Sequence, residues 1–288
     1  MLPEFELLIP QTLQDALRMT QDIPGAAPLA GGTNLIVDLR NGRHTPTTLI
    51  NINGLHELCS IQVTDEMVFV GSGVTIGEIL RDPSIAKYGL CLRQAGLTFA
   101  NPLIANRATL GGNLADASPA ADMAPPLIAL GASVELISSK GKRIVPIEDF
   151  FIGVRKTALQ PGELINAVRW PLPPAVSVTT YYKLGLRKAD AISVVTAAIY
   201  LEGDSNGKCA QARIALGSVA PKPLRVPTAE AVLKGEKLTD EAISKAAQLA
   251  FEASSPISDI RASGEYRREM VKVLVSRLLH EAADKLWK

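Results

Sequence analysis

With 288 residues, 47% of them hydrophobic and 20% charged, the chain has ordinary globular composition, which excludes wholesale disorder. Its 30 Lys and Arg against 29 Asp and Glu give a formal charge of +1, which excludes a dedicated binder of nucleic acid or anionic membrane. At about 150 residues per domain the length suggests two domains, large enough to need no disulfide or metal staple.

Cys59, Cys91 and Cys209 are an odd number at distant positions with no CxxC spacing. They read as three small buried thiols in a reducing compartment, not as a disulfide framework, a zinc site or an iron–sulfur cradle. The N-terminus places Glu4 and Glu6 where a signal peptide carries bases. The longest apolar stretches, Ala191–Leu201 and Met123–Ile137, are interrupted and fall short of the roughly 18 residues a membrane span needs. A cytoplasmic protein without membrane insertion is expected.

In chain order, Phe5–Ile9 reads as a strand, and Thr12 caps a helix with Leu13, Ala16 and Leu17 on one face. Ala27–Leu29 is a short strand feeding Gly31-Gly32. A helix over Asn34–Arg40 stops at Asn41-Gly42, and Thr48–Ile52 is again extended. Ile61–Val63 and Met67–Val70 form a hairpin, and Thr75 with Glu78 is a capping box opening a helix. Asn101–Pro126 is expected to be loop-rich. Strands follow at Ser133–Ser138, Arg143–Pro146 and Leu164–Trp170, and the prolines of Pro171-Leu172-Pro173-Pro174 mark a domain boundary. Beyond it, Thr179–Leu184, Ser193–Leu201 and Ala210–Ser218 read as antiparallel strands, and Glu241–Ser254 and Glu265–Trp287 as helices. In the last helix Met270, Leu274, Leu278, Ala282 and Leu286 form one apolar stripe. The class is α+β, in two units of about 1–173 and 177–288, the first split near residue 55.

Acid–base and nucleophilic catalysis fit poorly. His44, His56 and His280 are isolated, and no GxSxG, HExxH or clustered carboxylates occur. Three glycine-rich segments remain. Gly71-Ser72-Gly73-Val74-Thr75-Ile76-Gly77 imitates a dinucleotide fingerprint, but its third glycine falls one place late, and a hairpin exit before a capped helix explains it better. Leu29-Ala30-Gly31-Gly32-Thr33-Asn34 joins a strand to a helix, where N–H groups converge in a positive potential suited to phosphate; a tight turn with a helix cap explains it about as well. Around Gly111-Gly112, the segment from Asn106 to Asp122 is too small and polar for a core. Two such nests suit the diphosphate bridge of a dinucleotide.

The pair AGGTN (Ala30–Asn34) and ATLGGNLADASPAAD (Ala108–Asp122) resembles the FAD-binding medium subunit of the molybdenum hydroxylases, the xanthine dehydrogenase and aerobic carbon monoxide dehydrogenase family. The likeness extends to Lys183 with Arg187, the segment Ala215–Pro223, and Ser258–Ser263 with Tyr266-Arg267-Arg268. It implies a bipartite FAD domain of the vanillyl-alcohol-oxidase (PCMH) type and a C-terminal α+β domain. Leu29-Ala30-Gly31-Gly32-Thr33-Asn34-Leu35-Ile36 would wrap the FAD pyrophosphate. Thr109-Leu110-Gly111-Gly112-Asn113 would complete the cradle, with a Cβ at Gly32 or Gly111 intruding on the cofactor or forbidding the needed φ. Asp122 would hydrogen-bond the sugar chain, and Phe99 and Ile165 would make apolar or backbone contacts. Lys183 would stand near the isoalloxazine and favour its anionic reduced form.

Some relatives cover the flavin with an aromatic residue where this chain offers Ala191 and Ile192, which would leave the ring more open. The benzoyl-CoA-reducing branch, with an added cysteine-ligated cluster, is disfavoured by three scattered cysteines. The resemblance further implies an iron–sulfur ([2Fe–2S]) small subunit, a molybdopterin-binding large subunit, a dimer of heterotrimers, and NAD⁺, a quinone or another electron acceptor. Two other readings stay open: a self-contained flavin oxidoreductase, and a non-catalytic nucleotide-binding module.

Overall fold

The computed structural model describes residues 2–287; Met1 and Lys288, the outer ends of the two expected units, lie outside them. The chain begins with a parallel three-stranded sheet built from β1 (Glu6–Leu8), β2 (Ala27–Leu29) and β3 (Thr48–Asn51), in the order β1-β3-β2. Helix α1 (Leu13–Asp22) joins the first two strands; the Thr12 hydroxyl accepts the Asp15 N–H and so starts it. Helix α2 (Leu35–Arg40) joins the second and third. Leu49 and Ile50 of the central strand are fully buried, with Ala16 and Leu17 of α1 in the same small core as Ile50.

A five-stranded antiparallel sheet follows, β4 (Ile61–Val63), β5 (Met67–Gly71), β6 (Ser133–Ser138), β7 (Gly141–Pro146) and β10 (Leu164–Pro171), ordered β4-β5-β10-β6-β7. Between β7 and β10 lie α9 (Ile147–Phe150) and a two-stranded hairpin, β8 (Phe151–Gly153) and β9 (Lys156–Thr157). Between β5 and β6 the chain runs through α3 (Ile76–Arg81), α4 (Pro83–Tyr88), α5 (Leu90–Leu97), α6 (Pro102–Ala105), α7 (Leu110–Asp116) and α8 (Ala124–Ala129). The capping box forms as expected, with the Thr75 hydroxyl accepting the Glu78 N–H and the Glu78 carboxylate accepting the Thr75 N–H. Asn101–Pro126 departs from the loop-rich expectation. Asn101 and Thr109 cap α6 and α7, and Pro102 and Pro125 stand where a helix's first turn tolerates a missing N–H.

The third sheet is antiparallel: β11 (Ser177–Gly185), β12 (Ser193–Gly203), β13 (Cys209–Gly217) and β14 (Leu224–Arg225). Alternation along it serves two cores. Ala197, Ile199, Leu201, Ile214 and Leu216 face a core closed by α10 (Pro227–Ala231), α11 (Asp240–Ala253) and α12 (Gly264–Leu286). Tyr181, Ala198, Tyr200 and Ala215 face the opposite core, shared with α5, α8 and the five-stranded sheet. Burial on both faces explains why Ser193–Leu201 is uninterruptedly buried. The stripe on α12 is in place, with Leu274, Leu278 and Ala282 buried and Met270 and Leu286 packed at its margins. Cys91 and Cys209 are buried, but Cys59 is exposed at the end of the short helical turn His56–Leu58, whose Leu58 takes the buried position instead.

Candidate functional site

The strand β2 ends at the first glycine pair. Gly32 has φ +72, the left-handed region where a Cβ is strained, and this turn directs the chain into α2. Among the described residues, the N–H groups of Gly32, Thr33, Asn34 and Leu35 make no hydrogen bond, whereas the Ile36 N–H closes on the Gly32 carbonyl. A run of free donors at the entry of a helix is a place where an anion is held by backbone alone. Leu29, Leu35 and Ile36 turn their side chains into the small core with Leu49, while Ala30 and Thr33 are half-buried and Asn34 exposed. Gly31 serves a different purpose. A Cβ there would fall 1.8 Å from the Arg107 carbonyl oxygen, so the first segment lies directly on the second.

The second pair is not a nest. Leu110 and Gly111 donate to the carbonyls of Val74 and Ser72, Gly112 donates to the Thr109 hydroxyl, and Asn113 donates to the Thr109 carbonyl. Gly111 stands in the first turn of α7, where a Cβ would meet Ser72 Cβ at 2.5 Å and the Ser72 carbonyl oxygen at 2.9 Å. The expectation that a side chain at Gly111 would enter the cofactor's space is therefore corrected: it would strike the protein. The segment from Gly71 to Gly77, a hairpin exit followed by a capped helix, is the surface on which the second segment rests. At Gly77 the Asn106 side chain packs close, its Oδ1 2.3 Å from where a Cβ would be. Thr109 is buried with its hydroxyl engaged by Gly112, which leaves exposed Gly112 and half-buried Asn113, whose Oδ1 has no partner among the described residues.

Beyond α7 the chain reaches Asp122, 8% exposed. Its Oδ2 accepts from Lys183 Nζ at 2.6 Å, and Nζ also donates to the Thr98 carbonyl at 3.1 Å. Lys183 reaches this place because β11 alternates: Tyr181 and Lys183 point inward and Tyr182 is exposed. Asp122 Oδ1 is buried with no partner, and so is the Tyr181 hydroxyl. Burial raises the Asp122 pKa and Lys183 opposes the rise. Burial, and then the Asp122 charge, pushes the Tyr181 phenol well above its ordinary value.

The unpaired N–H groups of α2 and the orphaned oxygens of Asn113 and Asp122 form a donor-and-acceptor set that no side chain completes. Free donors and buried acceptors of this kind call for partners from outside the chain. Comparison with known proteins gives the family and its cofactor. The profile described as "FAD binding domain in molybdopterin dehydrogenase" matches residues 3–173, and "CO dehydrogenase flavoprotein C-terminal domain" matches residues 180–282. The chain belongs to this flavoprotein family. It is 34% identical to the carbon monoxide dehydrogenase medium chain of Afipia carboxidovorans, over 96% of each chain. It is 32% identical to the nicotinate dehydrogenase FAD-subunit of Eubacterium barkeri, over 98% of this chain and 97% of that one. Quinoline 2-oxidoreductase from Pseudomonas putida 86 superposes with a TM-score of 0.93 at 32% identity, covering all of both chains. The protein is thus an oxidoreductase component, the FAD subunit of a molybdenum-hydroxylase-type dehydrogenase, with FAD as its cofactor.

Within this FAD subunit the other expected site residues are placed unequally. Phe99 is half-buried against the main core, next to Thr98, whose carbonyl holds Lys183. Leu110 and Ile165 are buried and point into that core, so only their backbones remain for a ligand. Ile192 is 68% exposed at the end of the β11–β12 hairpin, and Asp190 is held by the Ala100 carbonyl. Sequence reasoning missed Tyr181, the Lys183–Asp122 pairing and Arg155. Of these only the alternation of Tyr181 with Lys183 left a trace in the sequence.

Proposed function

We propose that this subunit holds FAD along Leu29–Ile36, Thr109, Gly112, Asn113, Asp122 and Lys183 and relays electrons from the [2Fe–2S] clusters of a small partner subunit to an acceptor such as NAD⁺ or a quinone. Substrate oxidation then belongs to a molybdopterin-binding large subunit, and the complex is a dimer of heterotrimers. We read 1–173 as the FAD-binding domain, with lobes of about 1–55 and 56–173, and 177–288 as the C-terminal domain. The observation that carries this reading is the unfilled polar set: free N–H groups at Gly32–Leu35 and unpartnered oxygens on Asn113 and Asp122.

Bound FAD would supply the one- and two-electron redox chemistry of the relay. The residues do the rest. The N–H groups of Gly32–Leu35 donate to the diphosphate, and the oxygens of Asn113 and Asp122 accept from cofactor hydroxyls. Lys183, fixed by Asp122 and the Thr98 carbonyl, keeps a cation where negative charge develops. Near-equal likeness to proteins named for carbon monoxide, nicotinate and quinoline supports a role away from the substrate. Two buried free thiols and one exposed free thiol suit a reducing, cytoplasmic setting.

The test is the absorbance spectrum of the purified chain, mass analysis of what heat releases, and analysis of co-purifying chains. FAD without iron–sulfur absorption, with iron–sulfur and molybdopterin subunits recovered on gentle isolation, is the expected result. Rapid substrate oxidation by the FAD-loaded chain alone would favour a self-contained oxidoreductase. Failure of the folded chain to take up added FAD would overturn the site.

A further inference from the structure

Arg155 sits in the turn between β8 and β9 with φ +52, a left-handed conformation uncommon for a residue with a side chain. Its N–H donates to the Ala117 carbonyl at 3.0 Å. Its Nη1 reaches Asp38 Oδ2 at 3.0 Å and Asp116 Oδ1 at 3.1 Å. Asp38 lies on α2, the helix that opens at the free N–H groups. Asp116 ends α7, the helix that opens at Thr109. One guanidinium therefore ties together the two helices behind the two glycine segments. At the other end, the segments meet where Gly31 lies on the Arg107 carbonyl.

The charges are as telling as the geometry. The Asp38 and Asp116 side chains are 14% and 12% exposed. Besides Arg155, Asp38 has Arg43 at 3.7 Å, and among the described residues Asp116 has no other ion-pair partner. Both carboxylates belong to the helices that carry the cradle, so without Arg155 they would oppose an incoming diphosphate. A glycine would suit the turn's φ better than an arginine does, so the turn is not the reason for this side chain.

We infer that Arg155 is a positioning residue for FAD: it fixes the separation of the two glycine segments and cancels the two carboxylates behind them. This rests on the reading of Gly32–Leu35 and Thr109–Asn113 as the FAD cradle. The experiment uses the full chain stripped of flavin, in wild-type form and as Arg155→Gly, Arg155→Lys, Arg155→Gly/Asp116→Asn and Gly32→Val. FAD binding is titrated by fluorescence at low and high salt, and thermal midpoints of the FAD-free proteins are recorded.

Arg155→Gly is expected to lower the FAD-free midpoint only modestly, because relief of the turn's φ offsets part of the loss of two ion pairs made by a half-exposed guanidinium. Its Kd for FAD should rise about three- to tenfold at low salt, the range that two partly exposed ion pairs reach. The loss should shrink at high salt, which screens the carboxylates. Arg155→Lys and the added Asp116→Asn should each recover part of the affinity. An unchanged Kd in Arg155→Gly, while Gly32→Val abolishes uptake, overturns the inference about Arg155 alone. A parallel, salt-independent fall in midpoint and affinity also overturns it, since that marks a purely structural tie. Normal uptake by Gly32→Val overturns the cradle reading itself.

Discussion

Replacing Lys183 by Met keeps the side chain's length and removes its charge, leaving Asp122 buried with neither oxygen partnered. The pair is 2.6 Å apart, with side chains 4% and 11% exposed. At an effective dielectric of about 20, its gross attraction is ~6 kcal/mol. Desolvation of both ions offsets much of that, and deleting one partner of a buried pair costs about 3–5 kcal/mol. In a protein of this size that corresponds to a fall of ~5–8 °C in the thermal midpoint of the FAD-free chain. The effect carries a pH signature. Burial raises the Asp122 pKa above its usual 3.8 and Lys183 restrains it, so the variant's carboxyl rises further. A carboxyl with a raised folded-state pKa holds its proton more tightly when folded. Its stabilising contribution is complete below the unfolded pKa and is lost as pH rises through the folded one. The deficit should therefore be full at pH 7 and diminish as the pH is lowered towards 4, and adding Asp122→Asn should relieve much of it at pH 7. Calorimetry of both variants across that range is the assay. A deficit below ~1 kcal/mol, or one that does not change with pH, would refute the reasoning.

Gly32→Val should give a folded chain without flavin, since φ +72 excludes a β-branched residue at the nest; flavin content per folded chain measures it. Gly111→Val should instead lose about 2–3 kcal/mol of stability before any question of cofactor arises, because its Cβ meets Ser72 at 2.5 Å; urea unfolding of FAD-free protein separates the two. Asn113→Ala removes an orphaned acceptor, so FAD-free stability should hold while the Kd for FAD rises about tenfold, as titration would show. Hydrogen bonds from Arg261 hold the Asp259 carboxyl at a pKa of about 2. Its contribution is present above 3.8 and lost as pH falls towards 2, so Asp259→Asn should flatten the acid limb of the stability profile in that window.

The fold was legible wherever its cause is local. Thr12 and Thr75 announce helices because a hydroxyl three residues before an N–H satisfies one of the donors a helix start leaves open, and both caps form. The largely apolar run of β12 marked a strand, though not that it separates two cores, since that depends on what packs against each face. The short helices of Asn101–Pro126 escaped notice because α6 and α7 have four and seven residues, too few for a hydrophobic period. The site's ion pairs were illegible for a different reason. Lys183 lies 61 positions from Asp122 and Arg155 lies 117 from Asp38, and no pattern within one segment encodes such a meeting.

Glycine density is the sequence feature that pointed to the site, and the structure divides it into two physical causes. At Gly32 the backbone needs a conformation that side chains resist, in a turn whose N–H groups stay free. At Gly31, Gly71, Gly77 and Gly111 a Cβ would lie between 1.8 and 2.5 Å from another part of the chain, so these glycines let protein approach protein. The two causes cooperate. The close contacts of Gly77 with Asn106 and of Gly111 with Ser72 lay the second segment against the stretch from Ser72 to Gly77, and Gly31 presses the first segment onto the Arg107 carbonyl. That stacking leaves the donors of Gly32–Leu35 beside a neighbour that has already spent its own N–H groups. The free N–H groups are therefore concentrated on one turn, and the close contacts of the other glycines pack the segments around it.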